Sequence, residues 1–211
     1  MNKTTKASIA TAAGIVLLLG GGGSLAYWTD QQSAGSGTQT VSAGNLQVTP
    51  VGTGQWTKGF YNAGGTQVTA PAVVANLTNV RLVPGNRLVF TQQFTISAAG
   101  DDLYFTVNPT NGAIAAGGAA ANQVALAAIL NTGTNSVVTL DKTGLTSGSI
   151  SASTTSGVYK VSGSSTGTVA FTWTINWPFG TAGSPTTDNP AKLGSVTLTN
   201  GAVTVTQVDA P

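Results

Sequence analysis

Downstream of Gln31 the chain alternates apolar and polar residues in short runs separated by turn residues, with almost no helical spacing. Such alternation places successive side chains on opposite faces of an extended strand. The clearest run is Val169 to Trp177, in which Val169, Phe171, Trp173, Ile175 and Trp177 share one face. Ala170, Thr172, Thr174 and Asn176 share the other, so one face belongs to a core and the other is wet. Near the end of the chain, Asn200-Gly201 has the composition of a two-residue type I′ turn. A hairpin there would set Leu198 opposite Val203, Val196 opposite Val205 and Thr197 opposite Thr204.

A second group of runs surrounds Pro84-Gly85. Asn79 to Val83 precedes this turn, and Leu88, Phe90, Phe94 and Ile96 alternate with polar neighbours after it. Asp101-Asp102 then opens Leu103 to Val107. Further strands are expected over 41–49, 54–61, 66–75, 136–140, 147–152 and 157–162. Ala119 to Leu130, with Val124, Leu126, Leu130 and several alanines, is the one stretch suited to a helix. About ten short strands with regular turn signals predict an all-β fold, a jelly-roll-like two-sheet β-sandwich rather than a barrel. No repeat or linker divides it, so residues 41–211 are expected to form one domain. Residues 27–40, rich in Gly and Ser from Gln31 onward, form a flexible N-terminal segment before it.

The first 26 residues follow a different pattern. Lys3 and Lys6 precede an uncharged, mostly apolar run from Ala7 to Leu19, which Gly20 to Gly23 interrupt before Ser24-Leu25-Ala26. A basic start, an apolar run and small residues at the first and third positions before a scission make a helical signal peptide. Cleavage is expected after Ala26, leaving Tyr27 at the new terminus. The competing reading is a retained membrane anchor, since the apolar stretch counted through Trp28 approaches the roughly 20 residues that span a bilayer. Four consecutive glycines make that a poor helix.

Composition matters most once the leader is set aside. The net charge of +2 comes from the leader lysines; the remainder carries six Lys and Arg against six Asp. A neutral exported chain with no basic patch has no reason to bind nucleic acid, and its only membrane contact is through the uncleaved leader. The sequence has no His, no Cys and no Glu. That excludes zinc-protease motifs, Ser-His-Asp and Cys-His arrangements, thiolate metal sites and disulfides. No Ser-x-x-Lys spacing occurs either, so no enzyme activity, catalytic residue, metal or cofactor is expected.

The leader and its continuation, Leu25-Ala26-Tyr27-Trp28-Thr29-Asp30, resemble the alternate signal peptides processed by SipW-type signal peptidases. Ser42-Ala43-Gly44-Asn45-Leu46-Gln47-Val48 is similar to the first strand of the exported proteins that carry them. Leu82-Val83-Pro84-Gly85-Asn86-Arg87-Leu88, with Phe90 and Phe94-Thr95-Ile96, is similar to their Pro-Gly turn and the strand that follows. Together these resemble the TasA/camelysin-like exported proteins, and more closely their shorter high-GC Gram-positive relatives. The resemblance implies a jelly-roll-like sandwich, processing by a SipW-type signal peptidase, and a secreted subunit of matrix or surface fibres. It further implies self-association or contact with other matrix subunits through a donor strand freed by cleavage. Here that strand is Tyr27 to about Thr40, with Tyr27 and Trp28 as apolar anchors. The metalloprotease label attached to camelysin-like members does not carry over to a chain lacking His and Glu.

Four smaller signals have both a chemical and a plain reading. Asp141-Lys142-Thr143-Gly144 copies the phosphorylated core of cation-pumping ATPases but reads here as a turn between strands. Asp101-Asp102 offers oxygen ligands to Ca²⁺, which needs six to eight, or sits in a solvated loop. Asn76-Leu77-Thr78 is a glycosylation sequon by spacing alone. Trp173 and Trp177 would suit a carbohydrate platform but alternate with the core set. Outside the fibre role, the alternative is a monomeric secreted or membrane-anchored surface binding or adhesion module using a loop such as 108–122.

Overall fold

The computed structural model describes residues 42–180 and 189–211. The signal peptide, the cleavage site at Ser24 to Tyr27 and the donor-strand anchors Tyr27 and Trp28 lie outside the described residues. The elements run β1 (Asn45–Tyr61), β2 (Gln67–Val74), a 3-10 turn (Leu77–Asn79), β3 (Asn86–Thr110), β4 (Ala113–Ala116) and α1 (Ala121–Leu130). They continue with β5 (Ser136–Asp141), β6 (Ile150–Ala152), β7 (Val158–Asn176), a second 3-10 turn (Asn189–Ala191), β8 (Val196–Thr199) and β9 (Ala202–Val208). This is the all-β, jelly-roll-like two-sheet sandwich that the alternation predicts, divided unevenly into seven strands and two. The large antiparallel sheet runs β2-β1-β3-β7-β5, with β6 also on β7 and β9 also on β3; β4 and β8 form the small sheet.

Two long strands organise the large sheet. β3 and β7 stay paired from Arg87↔Asn176 to Thr106↔Val158, with one break between Gly100 and Leu103. Gly100 (φ 156°), Asp102 (φ 61°) and Gly163 (φ 87°) take backbone conformations that bend the pair there. Asp tolerates the left-handed region better than most side chains, and the Asp102 carboxylate meets Lys160 Nζ at 2.6 Å across the bend. On one side of the break β3 pairs with β1; on the other, β9 occupies the same flank, from Tyr104↔Val208 to Thr110↔Ala202.

The strand pattern around 169–177 holds residue by residue: Val169, Phe171, Trp173, Ile175 and Trp177 are all buried. Trp173 packs 5.7 Å from the ring of Trp56, which lies 5.2 Å from Phe90. Its Nε1 donates to Ser136 Oγ at 2.9 Å, so the one polar atom of a fully buried indole is satisfied. The runs expected at 41–49 and 54–61 meet in a single strand that begins at Asn45, kinked between Val51 and Gln55, where Gly52 adopts φ 64°. Likewise 88–96 and 103–107 belong to β3, and the runs 157–162 and 169–177 join in β7 from Val158 to Asn176.

Two expectations are corrected. Asn79 to Val83 is not a strand: the 3-10 turn Leu77–Asn79 is followed by irregular chain as far as the Val83–Asn86 turn. That turn closes through Asn86 N–H to Val83 O at 2.9 Å, with Pro84 second and Gly85 (φ 93°) third, the arrangement of a type II turn. Buried Asn86 holds it from within, its Oδ1 accepting from Val83 N–H. Backbone bonds from Gly85 N–H to Trp177 O and from Tyr61 N–H to Gly85 O fasten the turn to the ends of β7 and β1.

The second correction concerns Asn200-Gly201. No hairpin joins β8 and β9. Instead β8 pairs with β4, from Ala113↔Thr199 to Ala116↔Val196, and β9 pairs with β3. The segments β3–β4 and β8–β9 therefore run side by side and turn one corner together, leaving the large sheet for the small one. Glycine is needed there for close approach. A Cβ on Gly201 would strike the Thr110 carbonyl and stand 2.7 Å from the Phe171 ring. One on Gly112 would stand 2.6 Å from the Trp173 ring. Strands that switch sheets at such bends form the corners of β-sandwiches. The same arrangement accounts for 108–122, which is mostly the end of β3, β4 and the approach to α1 rather than a free binding loop.

The helix expected over Ala119 to Leu130 is α1, with Leu126 and Leu130 buried and Val124 half exposed. Asn135 Nδ2, donating to Ile129 O at 2.8 Å, ties its end to the start of β5.

Candidate functional site

Among the described residues no group of three or more His, Cys, Asp or Glu side chains comes together. Asp141 ends β5, and its carboxylate accepts from Thr143 N–H at 2.9 Å. That backbone bond, followed by one from the Thr143 side chain, holds its pKa below the usual carboxylate value. Leu145 N–H to Lys142 O and Thr168 N–H to Gly144 O complete an ordered turn, the plain reading of Asp141-Lys142-Thr143-Gly144. Asp102 serves Lys160, whose pKa is raised by the hydrogen bond and charge of that carboxylate. Asn76 Oδ1 accepts from both Thr78 N–H (2.9 Å) and Thr78 Oγ1 (2.7 Å), so the sequon caps the first 3-10 turn. Trp173 and Trp177 are core residues, and their rings offer no platform to a sugar.

Two surfaces remain. The first consists of open sheet edges. β2 reaches only as far along β1 as Trp56↔Val74, so from Asn45 to Gln55 β1 has a strand neighbour on the β3 side alone among the described residues. This open half reads NLQVTPVGTGQ and β2 reads QVTAPAVV; neither contains a charged residue. Val51, Val68 and Val73 are exposed at 46%, 60% and 62%. Exposed strand edges are normally blunted by charges, proline or bulges. Here Pro50, Pro71 and the bulge between Val51 and Gln55 interrupt the edges, while charge is absent.

The second surface is an apolar groove of about 810 Å³ at the end of the sandwich. Its floor includes Leu88 at the start of β3, Trp177 just past β7 and Leu126 of α1, all buried. Its walls are the irregular chain around Leu82 and the strand β8 around Leu198. The α1 side is pinned: Asn122 Nδ2 donates to Lys192 O at 3.1 Å, Gln123 Nε2 to Ser195 Oγ at 3.0 Å, and Gly117 N–H to Ser195 O at 2.9 Å. Leu193 at the lip is 98% exposed and holds φ 60°, an unfavourable conformation for leucine. Among the described residues Arg81 is the one charged side chain lining the groove. Its Nη1 reaches only the carbonyls of Thr78 and Val80, each at 3.5 Å. The groove gathers residues from 77 to 198 and has no linear motif. Its only trace in the sequence is a set of leucines, Leu77, Leu82 and Leu193, that belong to no strand.

Comparison with protein-family models, with curated proteins and with solved structures finds no match for this chain. The likeness to TasA/camelysin-like proteins therefore rests on the leader, the first-strand pattern and the Pro-Gly turn alone. Among the described residues no helix is long and apolar enough to cross a membrane.

Proposed function

We propose that this chain is a secreted, non-catalytic structural protein, a subunit of an extracellular matrix or surface fibre that assembles by β-strand addition after its leader is removed. The observation that carries the reading is the uncharged open edge from Asn45 to Gln55, continued by the uncharged edge strand β2. A strand added to such an edge gains main-chain hydrogen bonds, while alternate side chains set its register. The segment that signal-peptide cleavage would free, Tyr27 to about Thr40, directly precedes that edge in the chain and is the proposed donor, with Tyr27 and Trp28 as anchors. Export would pass through a SipW-type signal peptidase, and the partner would be another copy or another matrix subunit. The lack of His, Cys and Glu supports a structural rather than an enzymatic role.

Negative-stain microscopy of the protein beginning at Tyr27, beside a version beginning at Val41, tests this. Filaments from the first and none from the second are expected at high concentration. If both or neither form filaments, polymerisation through the N-terminal segment is wrong. Mass spectrometry of exported protein that retains Met1 to Ala26 would remove the cleavage switch. A second reading, a surface binding module, is favoured by the apolar groove bordered by Leu82 and Leu198.

A further inference from the structure

We propose that the groove at the end of the sandwich binds the anion of a medium-chain fatty acid, with the alkyl tail on the apolar floor and the carboxylate at Arg81. The inference rests on the binding-module reading and is independent of the fibre reading, because filament formation and ligand binding are separate measurements.

A volume of about 810 Å³ lies within the usual span of small-ligand sites, about 300–1,000 Å³. The floor of Leu88, Leu126 and Trp177 consists of side chains rather than open backbone. An alkyl chain finds apolar contact above it on the half-buried side chains of Leu77, Val80, Leu82, Val196 and Leu198. Ser195 Oγ, one of the few polar atoms in the wall, is already engaged by Gln123. Beside the hydroxyls of Thr78, Ser195 and Thr197, Arg81 brings the one charge to the described lining. Its guanidinium carries five donors in a fixed fork, yet it makes only two long contacts to carbonyls and has no carboxylate partner among the described residues. None of the four acids among those residues, Asp101, Asp102, Asp141 and Asp209, lines the groove, and Asp102 is bound to Lys160 and Asp141 to Thr143. A largely apolar cleft with one cation at its edge that lacks a carboxylate partner is complementary to a single anion on an aliphatic tail. A nucleotide would need more cations and an exposed aromatic face, and the groove has neither, since Trp177 is 6% exposed.

Dodecanoate and dodecanol, titrated separately into the full chain below their aggregation limits and followed by calorimetry, supply the test. One saturable dodecanoate site is expected. Arg81→Gln, an exposed change with little bearing on folding, should weaken dodecanoate about tenfold and leave dodecanol unchanged. Val196→Trp, which puts a bulky ring into the β8 wall of the groove, should weaken binding of both; circular dichroism establishes that this variant is folded. The proposal is overturned if wild type binds no dodecanoate, or if Arg81→Gln binds dodecanoate as tightly as wild type. It is also overturned if a folded Val196→Trp binds both ligands as tightly as wild type, or if Val196→Trp changes only the oligomeric state, which would make the groove a contact between copies.

Discussion

Replacing Gly201 with alanine tests the sheet corner directly. A Cβ there would run into the Thr110 carbonyl, stand 2.7 Å from the Phe171 ring and 3.0 Å from Gly112 N. Two of those three neighbours are backbone, and the third belongs to a ring that is 1% exposed, so no flexible tip can move aside. The corner carrying Gly201, and with it the start of β9, has to shift away from Thr110. That adds the cost of overpacking, about 1–3 kcal/mol. It also loosens the Thr110↔Ala202 pairing, where one net hydrogen bond is worth about 1 kcal/mol. The expected loss is about 2–4 kcal/mol. At about 2–4 °C per kcal/mol for a chain of this size, Tm should fall by roughly 4–16 °C. Two companions calibrate the result. Gly133→Ala meets nothing within 4 Å, and its φ lies outside the left-handed region, so it should be neutral or slightly stabilising. Gly157→Ala also meets open space but sits at φ 80°, so it should cost about 1 kcal/mol through backbone strain alone. Urea and thermal unfolding of the four proteins give the ranking. Had Asn200-Gly201 been a free hairpin turn, Gly201→Ala would resemble Gly157→Ala. A Gly201→Ala loss no larger than that of Gly157→Ala would refute the corner.

Other predictions follow from the core, the charges and the edges. Ser136→Ala removes the partner of the buried Trp173 Nε1 and should cost about 1–3 kcal/mol in urea unfolding, because an indole N–H is left unsatisfied. Trp173→Ala should cost about 3–5 kcal/mol or prevent folding. Stability measured against pH should be nearly flat from about pH 5 to 9, where neither carboxylates nor lysines titrate at their usual pKa values. Asp141, whose folded pKa is lowered, contributes stability that is present above its unfolded value of 3.8 and lost as pH falls through the folded value. Lys160, whose folded pKa is raised, contributes below 10.5 and loses that contribution as pH rises through its folded value. A stability change centred near pH 6.5 would contradict this. On the edges, Val51→Lys and Val73→Lys should leave Tm within a few degrees and abolish filaments; filaments from both variants would remove these edges from the assembly.

The sequence was informative where one face of a strand meets the core. Val169 to Trp177 could be read residue by residue because a fully buried face enforces a strict period of two. α1 was legible from Leu126 and Leu130. The Asn200-Gly201 hairpin was misread because a two-residue turn and a sheet corner make similar demands on composition. Glycine at 201 answers to Thr110 and Phe171, which lie about 90 and 30 positions away, and local spacing carries no trace of either. Asn79 to Val83 alternated like a strand but lacks a strand partner, since the Val83–Asn86 turn fastens its end to Tyr61 and Trp177 instead. The groove could not be read at all, because its walls come from separate stretches of chain that meet only after both sheets form. The open edge was half legible: absence of charge is visible in NLQVTPVGTGQ, but that β2 stops at Trp56 is a matter of tertiary pairing.

The shared flank of β3 also sets a timetable. Its first half can take β1 as soon as both have been made, since only β2 and a 3-10 turn lie between them in sequence. Its second half waits for β7, more than 50 residues later, and then for β9 at 202–208, nearly 100 residues later. Closing such long loops is entropically slow, and contacts this distant delay folding. Any product that stops short of residue 202 leaves one flank of β3 from Tyr104 to Thr110 bare, with Phe105 and Val107 poorly covered. β9 thus decides when that flank is covered: until it docks, Phe105 and Val107 leave the region sticky and easily degraded, and afterwards the sandwich is closed along that flank.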